Sequence, residues 1–133
     1  MAVLRNEMQE AMEEGAGIYR NEEGLRQAEG RVLGLKDRSR QVGLDDRSRT
    51  FNTELISALE LENLLDLAEV ILSSALARKE SRGAHQRTDH PERDDDQYLA
   101  HTMAYRSEEG TPRIEFAPVT ITKWPPAERV YGS

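Results

Sequence analysis

The chain has no cysteine, few aromatic residues (5%) and five prolines in 133 residues. No apolar run approaches the roughly 18 residues that would mark a membrane-spanning helix. Without cysteine there are no disulfides, no thiolate metal sites and no cysteine nucleophile. With so few aromatics, 37% hydrophobic residues and a mean hydropathy of -0.75, the composition argues against a thick sandwich and for helices with one apolar face each. The N-terminus lacks the basic, apolar and small-residue order of a signal peptide, so the expectation is a soluble, intracellular chain with no direct membrane insertion. A net charge of -7 argues against nucleic acid as the main partner. The length suits one domain that buries roughly two-thirds of its unfolded surface.

What is present is helical periodicity, read off the chain in order. Val3, Leu4, Met8, Ala11 and Met12 recur among glutamates up to Gly15-Ala16-Gly17, and a chain that starts inside a helix has the pattern of a cut fragment. Asn21 is placed to cap a second helix with Glu22 and Glu23 in its first turn. Along that helix Leu25, Ala28, Val32, Leu35, Ser39 and Val42 form a seam, weakened by Gly24, Gly30 and Gly34. The tetrapeptide Asp-Arg-Ser-Arg occurs at Asp37 to Arg40 and again at Asp46 to Arg49, and reads as a solvated helix end and loop.

Asn52 is the next cap, and from Thr53 to about Glu80 there is neither glycine nor proline. This stretch is expected to be the central, most buried helix. Glu54, Glu60, Glu62, Asp66 and Glu69 would mark its solvent face, and Leu64→Ala or Ile71→Ala would cost about 2 to 4 kcal/mol. Asp94 and Gln97 then fit the start of a short fourth helix with Tyr98, Thr102 and Tyr105 on one face. After a turn at 108–112, Arg113 to Phe116 and Val119 to Thr122 read as two extended segments broken by Pro118, followed by a tail. The fold expected is mainly α. It is an antiparallel three-helix bundle of spectrin-repeat kind, with a charged loop, a short fourth helix and an extended tail. The helical part runs over 1–105 and the extended part over 106–133.

The chemistry concentrates between Glu80 and Asp95. Glycine-rich stretches at Gly15 to Gly17 and Gly24 to Gly30 follow no strand, so they lack the context of a dinucleotide fingerprint. Ser73, Ser74 and Ser81 sit in or at the end of a helix, without a nucleophile-elbow pattern. His85, His90 and His101 with Asp89, Asp94 or Asp95 offer metal-ligand types, but at no familiar spacing and beside Arg82, Arg87 and Arg93. The favoured reading is a structural or docking loop, and a His/Asp metal-binding protein is the lesser alternative.

The segment Ala77-Arg78-Lys79-Glu80-Ser81-Arg82-Gly83-Ala84-His85, with Arg87, Asp89, Pro91 to Asp95, His101-Thr102 and Tyr105, resembles the C-terminal helical domain of succinate dehydrogenase and fumarate reductase flavoprotein subunits. Glu14 to Arg20, Phe51-Asn52-Thr53 and Pro125 to Gly132 look like the same family in the same order. L-aspartate oxidases share the Glu-Ser-Arg-Gly element, whereas the Pro-Pro and Arg-Val-Tyr ending is more like fumarate reductase or succinate dehydrogenase. The resemblance implies FAD-dependent interconversion of succinate and fumarate in the complete subunit. It also implies upstream flavin-binding and capping domains, an iron-sulfur partner subunit, and a cytoplasmic position peripheral to the membrane. It carries no catalytic, cofactor or metal residue onto this stretch, which alone is expected to be colourless and inactive. What it carries over is an interface of Arg78, Glu80, Ser81, Arg82, His85, Arg87, Asp89, Arg93, Asp94 and Asp95. If those charges face a partner, Arg82→Ala and Arg87→Ala would hardly change the melting of this domain and would weaken assembly. A free-standing helical interaction module is the other reading.

Overall fold

The computed structural model describes residues 1–108 and 110–127. Among these the chain is mainly helical: α1 (Ala2–Ala16), β1 (Tyr19–Arg20), α2 (Glu22–Ser39), α3 (Thr53–Ala77), β2 (Gln86–Arg87), α4 (Asp95–Tyr98), β3 (Ala100–Tyr105) and β4 (Arg113–Pro118). Both asparagine caps are in place. Asn21 accepts from the Gly24 N–H and Asn52 from the Leu55 N–H, each at 2.8 Å, which satisfies donors that a helix start leaves open.

The core joins Leu4 and Met8 of α1, Leu25, Ala28, Val32 and Leu35 of α2, and Leu61, Leu65, Ala68, Leu72 and Ala75 of α3. The expected α2 seam is buried as far as Leu35; Val42, beyond the helix, is 41% exposed. The middle element is α2 rather than α3, because α2 packs along both other helices while α1 and α3 meet only sparingly. Close approach of α1 to α2 depends on Gly15, where a Cβ would lie 2.4 Å from the Ala28 Cβ and 2.6 Å from the Gly24 carbonyl oxygen. Cross-helix pairs join Glu7 to Arg38, Glu14 to Arg31, Glu29 to Ser73, Arg5 to Glu60, and Lys36 to Asp66 and Glu69.

The buried stripe of α3 differs from the expected one. Leu64 is 38% exposed and Ile71 46%, while Leu65 and Leu72 are buried, so emptying Leu64 or Ile71 opens no large core cavity. Glu69, expected in solvent, is buried and bound to the Lys36 ammonium at 2.5 Å. Periodicity could not choose the stripe, because this helix is apolar around more than one face.

Two expectations fail after the loop. The fourth helix is one turn, capped by Asp94 as expected, and Thr102 and Tyr105 lie on β3 instead. The residues from Ala100 gain an antiparallel ladder with β4, running from Ala100 opposite Pro118 to Tyr105 opposite Arg113. That ladder satisfies backbone groups that a longer helix would have paired internally. The second extended segment, Val119 to Thr122, is not a strand. Pro118 has no N–H to offer the ladder and ends it. The hairpin straddles the 105/106 division, with β3 before it and β4 after it. Of the expected turn and tail, Glu109 and residues 128–133 lie outside the described residues.

Candidate functional site

At the end of α3 the chain folds into a knot of arginines and carboxylates. Arg82 and His85 exchange backbone hydrogen bonds of 2.9 and 3.0 Å around Gly83, whose φ of +59° is the left-handed conformation that glycine adopts without strain. Gly83 therefore closes a turn within the loop, while α3 itself ends earlier, at Ala77. Ser81 gathers the loop: its hydroxyl donates to the His90 carbonyl at 2.9 Å and accepts the Arg87 N–H at 2.8 Å, and its own N–H reaches Glu92. β2 lies parallel to β1, pairing Tyr19 with Gln86 and Arg20 with Arg87.

Two fully buried ions hold the knot. The Glu80 carboxylate accepts from Arg82 Nε at 2.8 Å, from the Asp94 N–H at 2.8 Å and from Arg78. Burial pushes its pKa upward, but the Arg82 guanidinium, the Asp94 N–H and the Arg78 guanidinium outweigh that push and hold it below its ordinary value. The Arg87 guanidinium donates to the Ala75 carbonyl at 3.0 Å, at the end of α3, and grips Asp89 through two bonds of 2.7 Å. Asp89 in turn accepts the first N–H of α2, that of Glu22, at 2.9 Å. One ion pair thus sets a cation on the negative end of α3 and an anion on the positive end of α2. The Arg87 contact, with the Glu22 N–H, holds the Asp89 carboxyl well below the usual carboxylate range against the opposing cost of burial.

Arg78 fastens the hairpin to this end. Its guanidinium donates to the carbonyls of Tyr98 and Ala100 at 2.9 and 2.5 Å and to Thr102 Oγ1 at 3.1 Å. It also lies beside the edge-to-face pair of Tyr98 and Phe116, 5.6 and 5.5 Å from their ring centroids, which are 5.4 Å apart. His85 is wedged between Arg20, 3.2 Å from Nδ1, and the Arg78 carbonyl, 3.1 Å from Nε2. A guanidinium only donates and a carbonyl only accepts, so the ring is neutral with its proton on Nε2. Burial first, and then the charges of Arg20, Arg87 and Arg78, lower its pKa, against the opposing pull of the Arg78 carbonyl.

The ten residues read from the sequence as an interface are therefore together in space, but they face largely inward. Glu80 is 0% exposed and Arg87 1%, and both are satisfied within the chain. The small melting effect expected for Arg87→Ala assumed an exposed pair, and its burial removes that premise. Arg93, Asp95 and Asp89 form the accessible rim, where Arg93 and Arg82 both reach Asp95, at 2.9 and 2.6 Å. Sequence reasoning missed Arg20, the aromatic pair beside Arg78 and the Lys36-Glu69 bridge; the only signal for Arg20 was its place in the motif from Glu14 to Arg20.

Among the described residues no three His, Asp or Glu side chains converge as a metal would need. His101 lies exposed on β3. Nor do the glycine stretches fit a flavin. Gly15 is pressed against α2, and a dinucleotide phosphate needs a strand, a loop and a helix N-terminus in sequence. No helix among the described residues is long and apolar enough to cross a membrane.

The described residues thus form a mainly helical body closed at one end by an ionic knot whose buried charges are satisfied within the chain. The family model described as fumarate reductase flavoprotein C-term matches residues 5–131, and the chain belongs to that family. It is 53% identical over 132 residues to a fumarate reductase flavoprotein subunit of Mycobacterium tuberculosis, covering 99% of this chain and 23% of that protein. A succinate dehydrogenase flavoprotein subunit of Rickettsia felis is 41% identical, with 98% and 23% covered. The chain thus spans under a quarter of the length of these curated relatives. Among solved structures, an Escherichia coli quinol fumarate reductase superposes with a TM-score of 0.92 at 48% identity, covering 98% of this chain and 23% of that one. An adenylylsulfate reductase of Archaeoglobus fulgidus superposes with a TM-score of 0.79 at 28% identity, with 91% and 20% covered.

Proposed function

We propose that this chain works as the C-terminal scaffold domain of an FAD-dependent subunit that interconverts succinate and fumarate. In this reading FAD and substrate are held by the flavin-binding and capping domains of the same subunit, and an iron-sulfur subunit takes the electrons onward at the membrane periphery. The observation that carries it is the family match over 5–131, together with relatives named as fumarate reductase and succinate dehydrogenase subunits. The likeness to an adenylylsulfate reductase fits a scaffold role, since a domain shared by enzymes of different substrates does not itself choose the substrate. The cross-helix pairs support an antiparallel three-helix bundle of spectrin-repeat kind, because partners rise along one helix as they fall along the next, as in Glu7 to Arg38 and Glu14 to Arg31.

Docking toward the iron-sulfur subunit falls to the rim of the knot. Arg93 and Asp95 have partly exposed charges there, while Glu80 and Arg87 shape the loop from beneath. Rim charges act mainly on association rate and salt dependence. The test uses the full-length subunit that contains this chain, purified with its partner. Flavin absorbance and fumarate reduction are expected, and neither appearing would end the reading. Arg93→Glu should leave the melting of the subunit unchanged and weaken its association with the iron-sulfur subunit at low salt. Unchanged association at every salt concentration would remove the rim from the docking surface.

A further inference from the structure

The knot meets the corner between α1 and α2 along β1 and β2, and the side chains there bury little apolar surface: Ile18 is 76% exposed and Tyr19 74%. What joins the two parts is polar. The Thr88 N–H donates to the Arg20 carbonyl at 2.8 Å and the Thr88 hydroxyl to the same oxygen at 3.2 Å. The Glu22 N–H donates to Asp89, and the Arg20 guanidinium reaches His85 Nδ1. A junction held by a few partly exposed hydrogen bonds opens at a lower free energy than an apolar core.

The His85 ring has one partner on each side of this junction. Its Nε2–H donates to the Arg78 carbonyl, on the knot side, and its Nδ1 accepts from Arg20, on the corner side. The Arg20 guanidinium also donates through Nε to the Gly17 carbonyl at 2.9 Å, so it belongs to the corner. The charges that face the ring are those of Arg20 from β1, Arg87 from β2 and Arg78 from the end of α3, and no carboxylate bonds to it among the described residues. A proton added at Nδ1 would set an N–H against a guanidinium that cannot accept, whereas Nε2 would keep its carbonyl. The bond to Arg20 is therefore the one that a proton breaks. Asp89 stays ionised in mild acid, so its bonds to Arg87 and to the Glu22 N–H are untouched there.

We propose that His85 is a proton-operated latch: in mild acid it lets go of Arg20, and β1 parts from β2 while Asp89 keeps its hold on the start of α2. The latch is a property of the fold and does not depend on the function proposed above.

Hydrogen exchange of single backbone amides in the 133-residue chain, corrected for the intrinsic effect of pH, tests this. The Thr88 amide should be less protected than the Leu72 amide within α3 at neutral pH. Its protection should then fall by up to about tenfold per pH unit below about pH 6.5, where a free histidine takes up its proton. His85→Gln should abolish that fall. Arg20→Gln should make it shallower, because a neutral amide oxygen can accept from the protonated ring, and this variant serves as the check if the first fails to fold. Equal protection of Thr88 and Leu72 at every pH would mean that the junction opens only with the whole fold, and overturns the proposal. Thr88 protection that is flat across the histidine range, or that falls as steeply in the variants as in the parent, overturns it as well.

Discussion

The seam between α2 and α3 and the knot at the end of α3 have equally buried anchors, built from opposite materials. Leu25, Val32, Leu61, Leu65 and Leu72 fill the first, and Glu80 and Arg87 anchor the second. In the seam any apolar side chain of similar volume would serve, because burial of apolar area has no direction. In the knot the buried Glu80 and Arg87 have assigned partners, and removing a partner leaves a buried charge uncompensated. The seam supplies cohesion, and the knot fixes where two helix ends, a parallel strand pair and a hairpin stand relative to one another. The difference implies that the knot tolerates substitution less well than the seam, even though it contains almost no hydrophobic surface.

The largest effect should come from Glu80→Ala. It strips Arg78 and Arg82 of a shared counter-ion and leaves the Asp94 N–H without an acceptor. Breaking a buried ion pair from one side costs about 3 to 5 kcal/mol. Urea unfolding of the 133-residue chain measures it. A loss below about 1 kcal/mol would put Glu80 in the class of surface pairs and dissolve the contrast with the seam.

Next comes a pair of substitutions one residue apart on α3. Leu72→Ala empties a buried site and should cost about 2 to 5 kcal/mol, whereas Ile71→Ala, next to it and 46% exposed, should cost distinctly less in the same denaturant titration. Equal losses would mean that the stripe is assigned to the wrong side of the helix.

The same contrast explains what the residues disclosed before the structure. Cap chemistry located the starts of α2 and α3 and the glycines after Glu14 the end of α1, because these act locally, while α2 and α3 end about three residues before the expected Val42 and Glu80. Which face of α3 is inside was not legible, since both are apolar and only the position of α2 decides. The loop was legible as a concentration of charge and through its resemblance to a family. The ion pairs Glu80-Arg82 and Arg87-Asp89 each join residues two apart, but how the loop is tied to the rest was not legible, because those bonds join Glu22 to Asp89, Arg20 to His85 and Arg78 to Thr102 across tens of residues. Likewise the strand character of Ala100 to Tyr105 depends on β4, which lies further along the chain.

The smallest effect sharpens the comparison because it belongs to the knot alone. His85 is faced by Arg20 from β1, by Arg78 with its carbonyl from the end of α3, and by Arg87 from β2. Burial disfavours the charged ring, and protonation would also turn Nδ1 from an acceptor into a donor pointed at the Arg20 guanidinium, so the folded state lowers the pKa. An unfolded chain protonates the ring at about pH 6.5, so below that pH the unfolded state binds more protons than the folded one, and stability rises with pH. The contribution of the neutral ring is complete above the unfolded value and is lost as pH falls from there through the lowered folded value. Asp89 and Glu80, whose folded pKa values are also lowered, add a second loss at more acid pH, below the ordinary carboxylate range. Urea titrations from neutral to mildly acid pH should therefore show a slope that His85→Gln abolishes while the acid loss remains. The leucine seam holds no histidine, and variants such as Leu72→Ala should keep the wild-type slope across the histidine range. If His85→Gln and the parent lose stability in parallel across the histidine range, the neutral wedge between Arg20 and Arg78 is not what the knot depends on.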